Sequence, residues 1–242
     1  MYFKSKGIFL RQTKYSDTSA VVKIYTEEFG IQSYMVKGLH SKKSKIRPSL
    51  FYPLSIFDMV VSHKESSELQ HIKEIQVTAP FISIPHNILK SSVVIFLSEL
   101  LYKSLKEEQT NKALFSFLEE SIRWIDEMQE LPPDFHLLFA VKLSKYLGFA
   151  PQGAYQKGTT VFDLQEGFFR PELLLEGSNV ITGMECEYFS RLLQSDFTEL
   201  SSWKMPSSVR QNLLEKLLLY YSFHIPTATN FKSHRVLHDV LR

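Results

Sequence analysis

Apolar and polar positions alternate through the first 80 residues, as they do in half-buried β-strands. The clearest case is residues 18–26, where every second position is apolar (Ala20, Val22 and Ile24). Gly30 follows, and a glycine that accepts positive φ predicts a hairpin turn there. Further strands are predicted at 6–12, 31–36, 51–62 and 69–77. Five short strands without a helical pattern predict a small closed β-barrel.

After Pro80 the apolar positions change to a helical period. Residues 93–101 have apolar side chains at i, i+3, i+4 and i+7 spacing, and residues 114–125 form a second such stripe. A third helix is predicted between Pro133 and Gly148, and others at 184–193, 207–223 and 233–241. The glycine-rich stretch 152–182 is predicted to be irregular. The pattern therefore predicts an α+β multidomain protein with a barrel domain at 1–80 and an all-α body at 81–242, interrupted by the insert 152–182.

Charge is distributed unevenly between these two parts. Residues 1–80 hold 12 Lys and Arg against 7 Asp and Glu, a net charge of +5, whereas the remainder has a net charge of −3. No acidic residue occurs between Glu28 and Asp58, while five cations do: Lys37, Lys42, Lys43, Lys45 and Arg47. A basic domain joined to a slightly acidic one indicates a polyanionic partner, although a solvated loop would have the same composition.

Motifs of enzyme chemistry are almost absent from the sequence. The loop 153–159 resembles a phosphate-binding loop but lacks the lysine that must follow its second glycine. The histidines have no metal-ligand spacing, and Cys186 lies between two glutamates that disfavour a thiolate. We therefore expect a protein without catalytic residues. A single cysteine also excludes an internal disulfide and indicates a reducing compartment, so we expect a cytoplasmic protein.

Four stretches of the chain resemble, in order, the RecO family of bacterial DNA repair and recombination mediators. Residues 10–38, LRQTKYSDTSAVVKIYTEEFGIQSYMVKG, are similar to the family's N-terminal signature. Residues 96–118, FLSELLYKSLKEEQTNKALFSFL, resemble its first body helix, and residues 139–151, FAVKLSKYLGFAP, its helix that ends in a Gly-x-x-Pro turn. Phe231-Lys232-Ser233, before an apolar helix, resembles the C-terminal end. The resemblance covers nearly the whole chain.

The resemblance implies an oligonucleotide/oligosaccharide-binding (OB) barrel followed by a helical domain. Members of the family bind single- and double-stranded DNA and anneal complementary strands. With RecR they load RecA onto strands coated by single-stranded DNA-binding protein (SSB). Two alternatives remain open: a different barrel protein that serves as an RNA-binding accessory factor, and an enzyme whose residues are not recognised.

Candidate binding residues follow from the charge pattern and from the partners that the resemblance implies. The expected DNA contacts are Arg11, Lys14, Lys23, Lys37, Lys42, Lys43, Lys45 and Arg47, with Tyr34 as an aromatic contact to bases. The acidic, apolar C-terminal tail of SSB needs an apolar pocket with cations at its rim. Cations beside apolar helical stripes occur at Arg123, Lys142 and Lys145.

The chain departs from the family at one point that bears on a metal. Many members carry a zinc site that begins Cys-x-x-Cys-Gly, and the equivalent stretch here, residues 154–158, keeps Gly158 but has neither cysteine. Cys186 alone cannot supply four tetrahedral ligands. We therefore expect no zinc cofactor, and we expect packing to hold this segment through Tyr155, Phe162, Phe168 and Phe169.

Overall fold

A computed structural model describes residues 1–39, 46, 48–105, 110–172 and 179–241. The chain forms two compact units, Met1–Met128 and Gln129–Arg242. The first unit contains the barrel and also the two helices that follow it, so it extends beyond the predicted barrel domain at 1–80. Among the described residues, no helix has the length and apolar character needed to cross a membrane.

Five strands close into a barrel, which confirms the predicted OB-type fold of the N-terminal part. They are β1 (Tyr2–Lys14), β2 (Ala20–Thr26), β3 (Gly30–Val36), β4 (Ile56–Ser62) and β5 (Gln70–Val77). Their order around the barrel is β1-β2-β3-β5-β4, with β4 returning to β1. Strand β1 is longer than predicted because its first half pairs with β4 and its second half with β2.

The inner face of the barrel is apolar and closely packed. Val22, Ile24 and Phe57 are fully buried there. Gly7 is required on this face, since a Cβ at that position would collide with side-chain atoms of Met59 and Ile24. The predicted hairpin between β2 and β3 is also present, and Gly30 adopts a positive φ of 60°.

Two helices complete the first unit, α1 (Ile88–Ser104) and α2 (Lys112–Glu127). A buried polar cluster fixes the connection between the barrel and α1. The ammonium group of buried Lys90 donates to Ser83 Oγ at 2.6 Å and to the Asp126 carbonyl at 3.2 Å. The Asp126 carboxylate accepts hydrogen bonds from the backbone N–H groups of Ile82, Ser83 and Ile84. Burial alone would raise the pKa of Asp126, but these hydrogen bonds outweigh it and lower the pKa.

The second unit contains four helices and a small sheet within its described residues. They are α3 (Phe135–Tyr146), β6 (Thr160–Asp163), β7 (Phe168–Pro171), β8 (Val180–Ile181), α4 (Gly183–Gln194), α5 (Ser207–His224) and α6 (Ser233–Val240). The strands form an antiparallel sheet in the order β7-β6-β8. The insert 152–182, predicted to be irregular, thus also contains three strands of two to four residues, which are too short to show a period of two in the sequence.

A buried ion pair links α3 to α5 in the second unit. The Arg210 guanidinium donates to Asp134 Oδ1 at 2.6 Å and to the Met205 carbonyl at 3.1 Å, and both partners of the pair are buried. His136 is 1% exposed near this pair. Burial, with a smaller contribution from the Arg210 charge, lowers the pKa of His136 to about 3. The imidazole is therefore neutral in the folded protein at any pH well above that value.

This buried histidine should make the second unit sensitive to mild acid. An unfolded histidine binds a proton below about pH 6.5, whereas folded His136 does so only near pH 3. Its contribution to the free energy of unfolding therefore falls as the pH falls, by about 1.4 kcal/mol per pH unit. Between pH 7 and pH 5 the loss is about 2 kcal/mol.

Urea unfolding followed by the fluorescence of Trp203, which lies in the second unit, measures this loss. Trp124 is replaced by Phe in all variants, so that Trp203 is the single fluorescent tryptophan. We expect His136→Leu to remove about 2 kcal/mol of the difference between pH 7 and pH 5. His71→Asn, which changes an exposed histidine, should leave the difference unaltered. An equal dependence on pH in the wild type and in His136→Leu would contradict the assignment.

Candidate nucleic-acid interface

The outer surface of β1, β2 and β3 carries a set of cations. Side chains alternate between the two faces of each strand, and the outward positions include Arg11 on β1 and Lys23 on β2. Arg11 and Lys23 are paired in the strand register, and Lys23 is paired in turn with Ser33 on β3. Two cations therefore lie side by side, with Cβ atoms about 5 Å apart.

Two further cations lie at the end of the same three strands. Lys14 is the last residue of β1 and is in register with Ala20, which is in register with Val36 at the end of β3. Lys37 follows Val36 and is exposed. We refer to Arg11, Lys14, Lys23 and Lys37 as the basic face. These are the four predicted DNA-binding cations that the structure describes: Arg11 and Lys23 on the outer face of β1 and β2, and Lys14 and Lys37 at the ends of β1 and β3.

The cations of the basic face are largely unneutralised. Of the four, only Lys14 has an ion pair within the described residues, an exposed contact of 3.0 Å to Asp17. Exposed pairs of this kind contribute little and exchange easily with other anions. The Arg11 guanidinium lies 4.8 Å from the ring centre of Tyr102 on α1. A guanidinium over an aromatic ring can still donate N–H groups to a phosphate.

The side of the barrel formed by β1, β4 and β5 has a different charge pattern. An open groove of about 520 Å³ runs across β1, β4 and β5, and its charged lining residues are Lys4, Lys6, Glu27, Asp58 and Glu74. Its lysine Lys6 is already bound, at 3.0 Å, to Glu119 of α2. Acidic groups thus outnumber free cations in this groove, so a phosphate backbone is expected to prefer the basic face.

Tyr34 cannot serve as the predicted aromatic contact to bases, and that prediction was wrong. Its side chain is 1% exposed and belongs to the barrel core, where burial raises the pKa of its hydroxyl. The inward position of Tyr34 could have been predicted from the sequence. A hairpin turn before Gly30 pairs Tyr34 with Val22, an inward residue, and pairs Ser33 with Lys23. The exposed tyrosine on this side of the barrel is Tyr15, which the sequence-based set of contacts did not include.

The remaining predicted DNA contacts, Lys42, Lys43, Lys45 and Arg47, lie outside the described residues. The described residues that flank them are anchored in the barrel. Leu39 is buried in the core cluster, and Ile46 packs against the same cluster. We refer to residues 42–47 as the basic segment, and its four cations remain part of the predicted interface.

Arg123, the predicted tail-binding cation of the first unit, is committed to an ion pair. Its guanidinium donates to Glu119 Oε1 at 2.7 Å, and Glu119 also binds Lys6. Burial alone would raise the pKa of Glu119, but these two cations lower it. An approaching carboxylate would have to compete with Glu119 for Arg123.

The two cations of the second unit differ from each other. Lys142 is bound to Asp196 at 2.7 Å and lies 5.9 Å from the ring centre of Phe197. Lys145 is exposed, is without an ion pair among the described residues, and precedes partly exposed Tyr146. Of the three predicted tail-binding residues, Lys145 has the least competition for a carboxylate.

The segment that corresponds to the family's zinc site packs through aromatic rings. Phe162 on β6 is fully buried, with ring centres of Phe189, Phe169 and Tyr220 at 4.7, 5.1 and 5.5 Å. The expected packing role thus holds for Phe162 and Phe169. It was wrong for Phe168, which is 42% exposed.

Catalytic and metal-binding chemistry is sparse in the described part of the chain. No group of three or more His, Cys, Asp or Glu side chains there could hold a metal ion. The Cys186 thiol is buried, and burial raises its pKa to about 11, which makes it a poor nucleophile. His234, one of two histidines four residues apart, lies 3.4 Å from Glu215.

Comparison with known proteins places this barrel and body in one family. The family model described as "Recombination protein O N terminal" matches residues 1–81, and "Recombination protein O C terminal" matches residues 85–234. A protein of Flavobacterium psychrophilum is 35% identical over 241 residues, and one of Azobacteroides pseudotrichonymphae is 33% identical over 241 residues. One of Bacteroides fragilis is 33% identical over 243 residues. Each match covers 99% of both chains, and each relative is named "DNA repair protein RecO".

Proposed function

The chain belongs to the RecO family of DNA repair and recombination proteins, and from this premise we propose that it is a non-enzymatic mediator that binds single- and double-stranded DNA through its barrel. The observation that carries the proposal is the basic face. Four cations lie on strands β1 and β2 or at the ends of β1 and β3, while the groove across β1, β4 and β5 is lined by three acidic residues and two lysines. Lysine and arginine that neutralise phosphates release counterions and bind without reading sequence. That mode suits a repair protein, which must act on any sequence.

The proposed role extends to the family's partners. The protein anneals complementary strands in the bacterial cytoplasm and, with RecR, helps to load RecA onto strands coated by SSB. Support for these steps comes from the family resemblance of the whole chain. A barrel that holds the backbone of a strand and leaves its bases available is compatible with annealing, because the bases must then pair with a second strand.

We expect the basic segment to contribute to the same interface, and its contribution can be measured by salt dependence. Replacing Lys42, Lys43 and Lys45 with alanine removes three phosphate contacts. Each contact contributes about 0.7 to the slope of log K against log salt on single strands, so the slope should become less steep by about 2. Binding of labelled oligo(dT), followed by fluorescence anisotropy from 50 to 300 mM salt, gives the slope. An unchanged slope would remove this segment from the interface.

The tail of SSB is the proposed ligand of the second unit, at Lys145. Its charge is exposed on α3 beside Tyr146, so a carboxylate and an apolar side chain could both be accommodated. A tail peptide titrated against Lys145→Glu should bind at least several-fold more weakly than it does to the wild type. Equal affinity in the folded variant would place the tail elsewhere.

We further propose that the protein needs no zinc. Aromatic packing around Phe162 supports this, since it supplies the contacts that a metal would otherwise organise. Elemental analysis of the purified protein should find far less than one zinc per chain, and a chelator should leave the melting temperature unchanged. Stoichiometric zinc, or a chelator-induced fall in melting temperature, would contradict the proposal.

A further inference from the structure

Tyr15 is an aromatic side chain that the fold leaves in solvent. Residues 1–80 contain ten Phe and Tyr, and most of them are at least half-buried. Tyr15 is 68% exposed and Tyr2 is 62% exposed. The Tyr2 ring has a neighbour, the Lys73 ammonium, 4.9 Å from its centre. The Tyr15 ring has no aromatic or cation–π contact among the described residues, so it is available to a ligand.

The turn that carries Tyr15 is ordered before any ligand arrives. The backbone N–H groups of Tyr15 and Ser16 both donate to the Ser19 carbonyl, at 3.0 and 3.1 Å. The Ser19 N–H returns a hydrogen bond to Ser16 Oγ at 3.1 Å. Little backbone conformational entropy remains to be lost on binding. A contact at Tyr15 therefore contributes more net binding free energy than the same contact on an unstructured loop.

Cations flank this ring on the strands of the basic face. Tyr15 follows Lys14 at the end of β1, and Lys37 follows Val36 at the end of β3. The ends of these strands are joined in register through Ala20, so they lie about 10 Å apart, which is twice the spacing of neighbouring strands. A backbone held by Lys14 and Lys37 would thus pass close to the Tyr15 ring.

We propose that Tyr15 is a platform on which an unpaired base stacks, and that this contact gives the basic face a preference for single-stranded over duplex DNA. The inference rests on the proposed DNA binding and specifies its ligand. Every base has a π-face, so stacking tolerates any sequence. In a duplex each base already stacks on its neighbours, so a ring beside the backbone gains nothing except at an end. Phosphate contacts, by contrast, are available in both forms.

Three probes separate stacking from phosphate binding: a 15-nucleotide oligo(dT), an abasic oligomer of the same length and charge, and a 15-base-pair duplex closed by hairpins. Stacking is worth about 1–3 kcal/mol per base, so Tyr15→Ala should weaken oligo(dT) binding roughly five- to a hundred-fold. Binding of the abasic and duplex probes should change less than twofold. Tyr15→Phe, which keeps the ring, should bind all three probes as the wild type does.

Tyr2→Ala is the matched control, because it removes an equally exposed tyrosine from another part of the barrel. It should leave the affinity for all three probes unchanged. A second measurement uses Tyr15→Trp, whose fluorescence should be quenched by oligo(dT) and not by the abasic oligomer. That readout reports stacking directly.

The possible outcomes separate this inference from the function on which it rests. Unchanged oligo(dT) binding by Tyr15→Ala would overturn the platform, and so would an equal loss for all three probes. In either case the wild type would still bind DNA through its cations. A wild-type protein that binds none of the probes would overturn both the platform and the proposed function.

Discussion

Replacing Arg11 and Lys23 with alanine should weaken the binding of single-stranded DNA about a hundredfold at moderate salt. The two residues are neighbours in the strand register and lie on the outer side of the barrel. Hydrogen bonds to charged groups contribute about 1.5 kcal/mol each at the low end of their range, so two lost phosphate contacts cost about 3 kcal/mol. That energy corresponds to about two powers of ten in the dissociation constant.

A second effect of this double variant distinguishes lost contacts from lost structure. Removing like charges directly opposite on neighbouring strands favours the sheet, whereas losing the Arg11–Tyr102 contact does not, so the stability of the barrel should stay within about 1 kcal/mol of the wild type. The slope of log K against log salt should become less steep by about 1.4.

The matched control is Lys4→Ala with Lys73→Ala, which also removes two cations but from the β1, β4 and β5 side of the barrel. Its affinity should stay within a fewfold of the wild type. Equal weakening in both double variants would mean that net charge, rather than the basic face, determines binding.

Phe162→Ala should destabilise the second unit by about 3–5 kcal/mol. The side chain is fully buried and contacts three other aromatic rings, so its removal leaves a cavity and forfeits their edge-on and tilted packing. With an m-value of about 2 kcal/mol per molar urea, a loss of 4 kcal/mol lowers the midpoint by about 2 M. Trp203 fluorescence in the Trp124→Phe background measures this midpoint.

Phe168→Ala is the control for this experiment. Phe168 lies in register with Asp163, one residue beyond Phe162, but it is 42% exposed. Its replacement should lower the free energy of unfolding by less than about 1 kcal/mol. A small effect of Phe162→Ala would contradict the proposal that aromatic packing holds this segment.

The barrel could be predicted from the sequence because its strands have one buried face. In β2 the buried residues Ala20, Val22 and Ile24 fall at every second position, and the turn at Gly30 fixes the pairing with β3. The length of β1 could not be predicted, since it depends on pairing with β4, which lies more than 40 residues away. Tyr34 was misassigned for a different reason. An aromatic residue suggested a contact to bases, but the hairpin pairs Tyr34 with Val22 and therefore places its side chain in the barrel core.

Polar groups that become buried were the least predictable feature. Lys90 occurs in a helix where the sequence gives no reason to expect burial, and its partners Ser83 and Asp126 come from separate segments. The ion pair of Arg123 with Glu119 was readable from their spacing of four residues. The third member, Lys6, is 113 residues distant and could not be anticipated. Only the folded chain shows which cations are already neutralised and which remain available to DNA.

Zero-length photocross-linking tests the DNA-binding face most directly. Oligo(dT) that contains 4-thiothymidine is irradiated with the wild-type protein, and the cross-linked peptides are identified by mass spectrometry. If the basic face and the segment beside it hold the strand, the cross-links should fall within residues 11–47, with Tyr15 among the modified positions. Cross-links confined to residues 56–77 or to residues 129–242 would contradict this assignment and place the DNA on another surface.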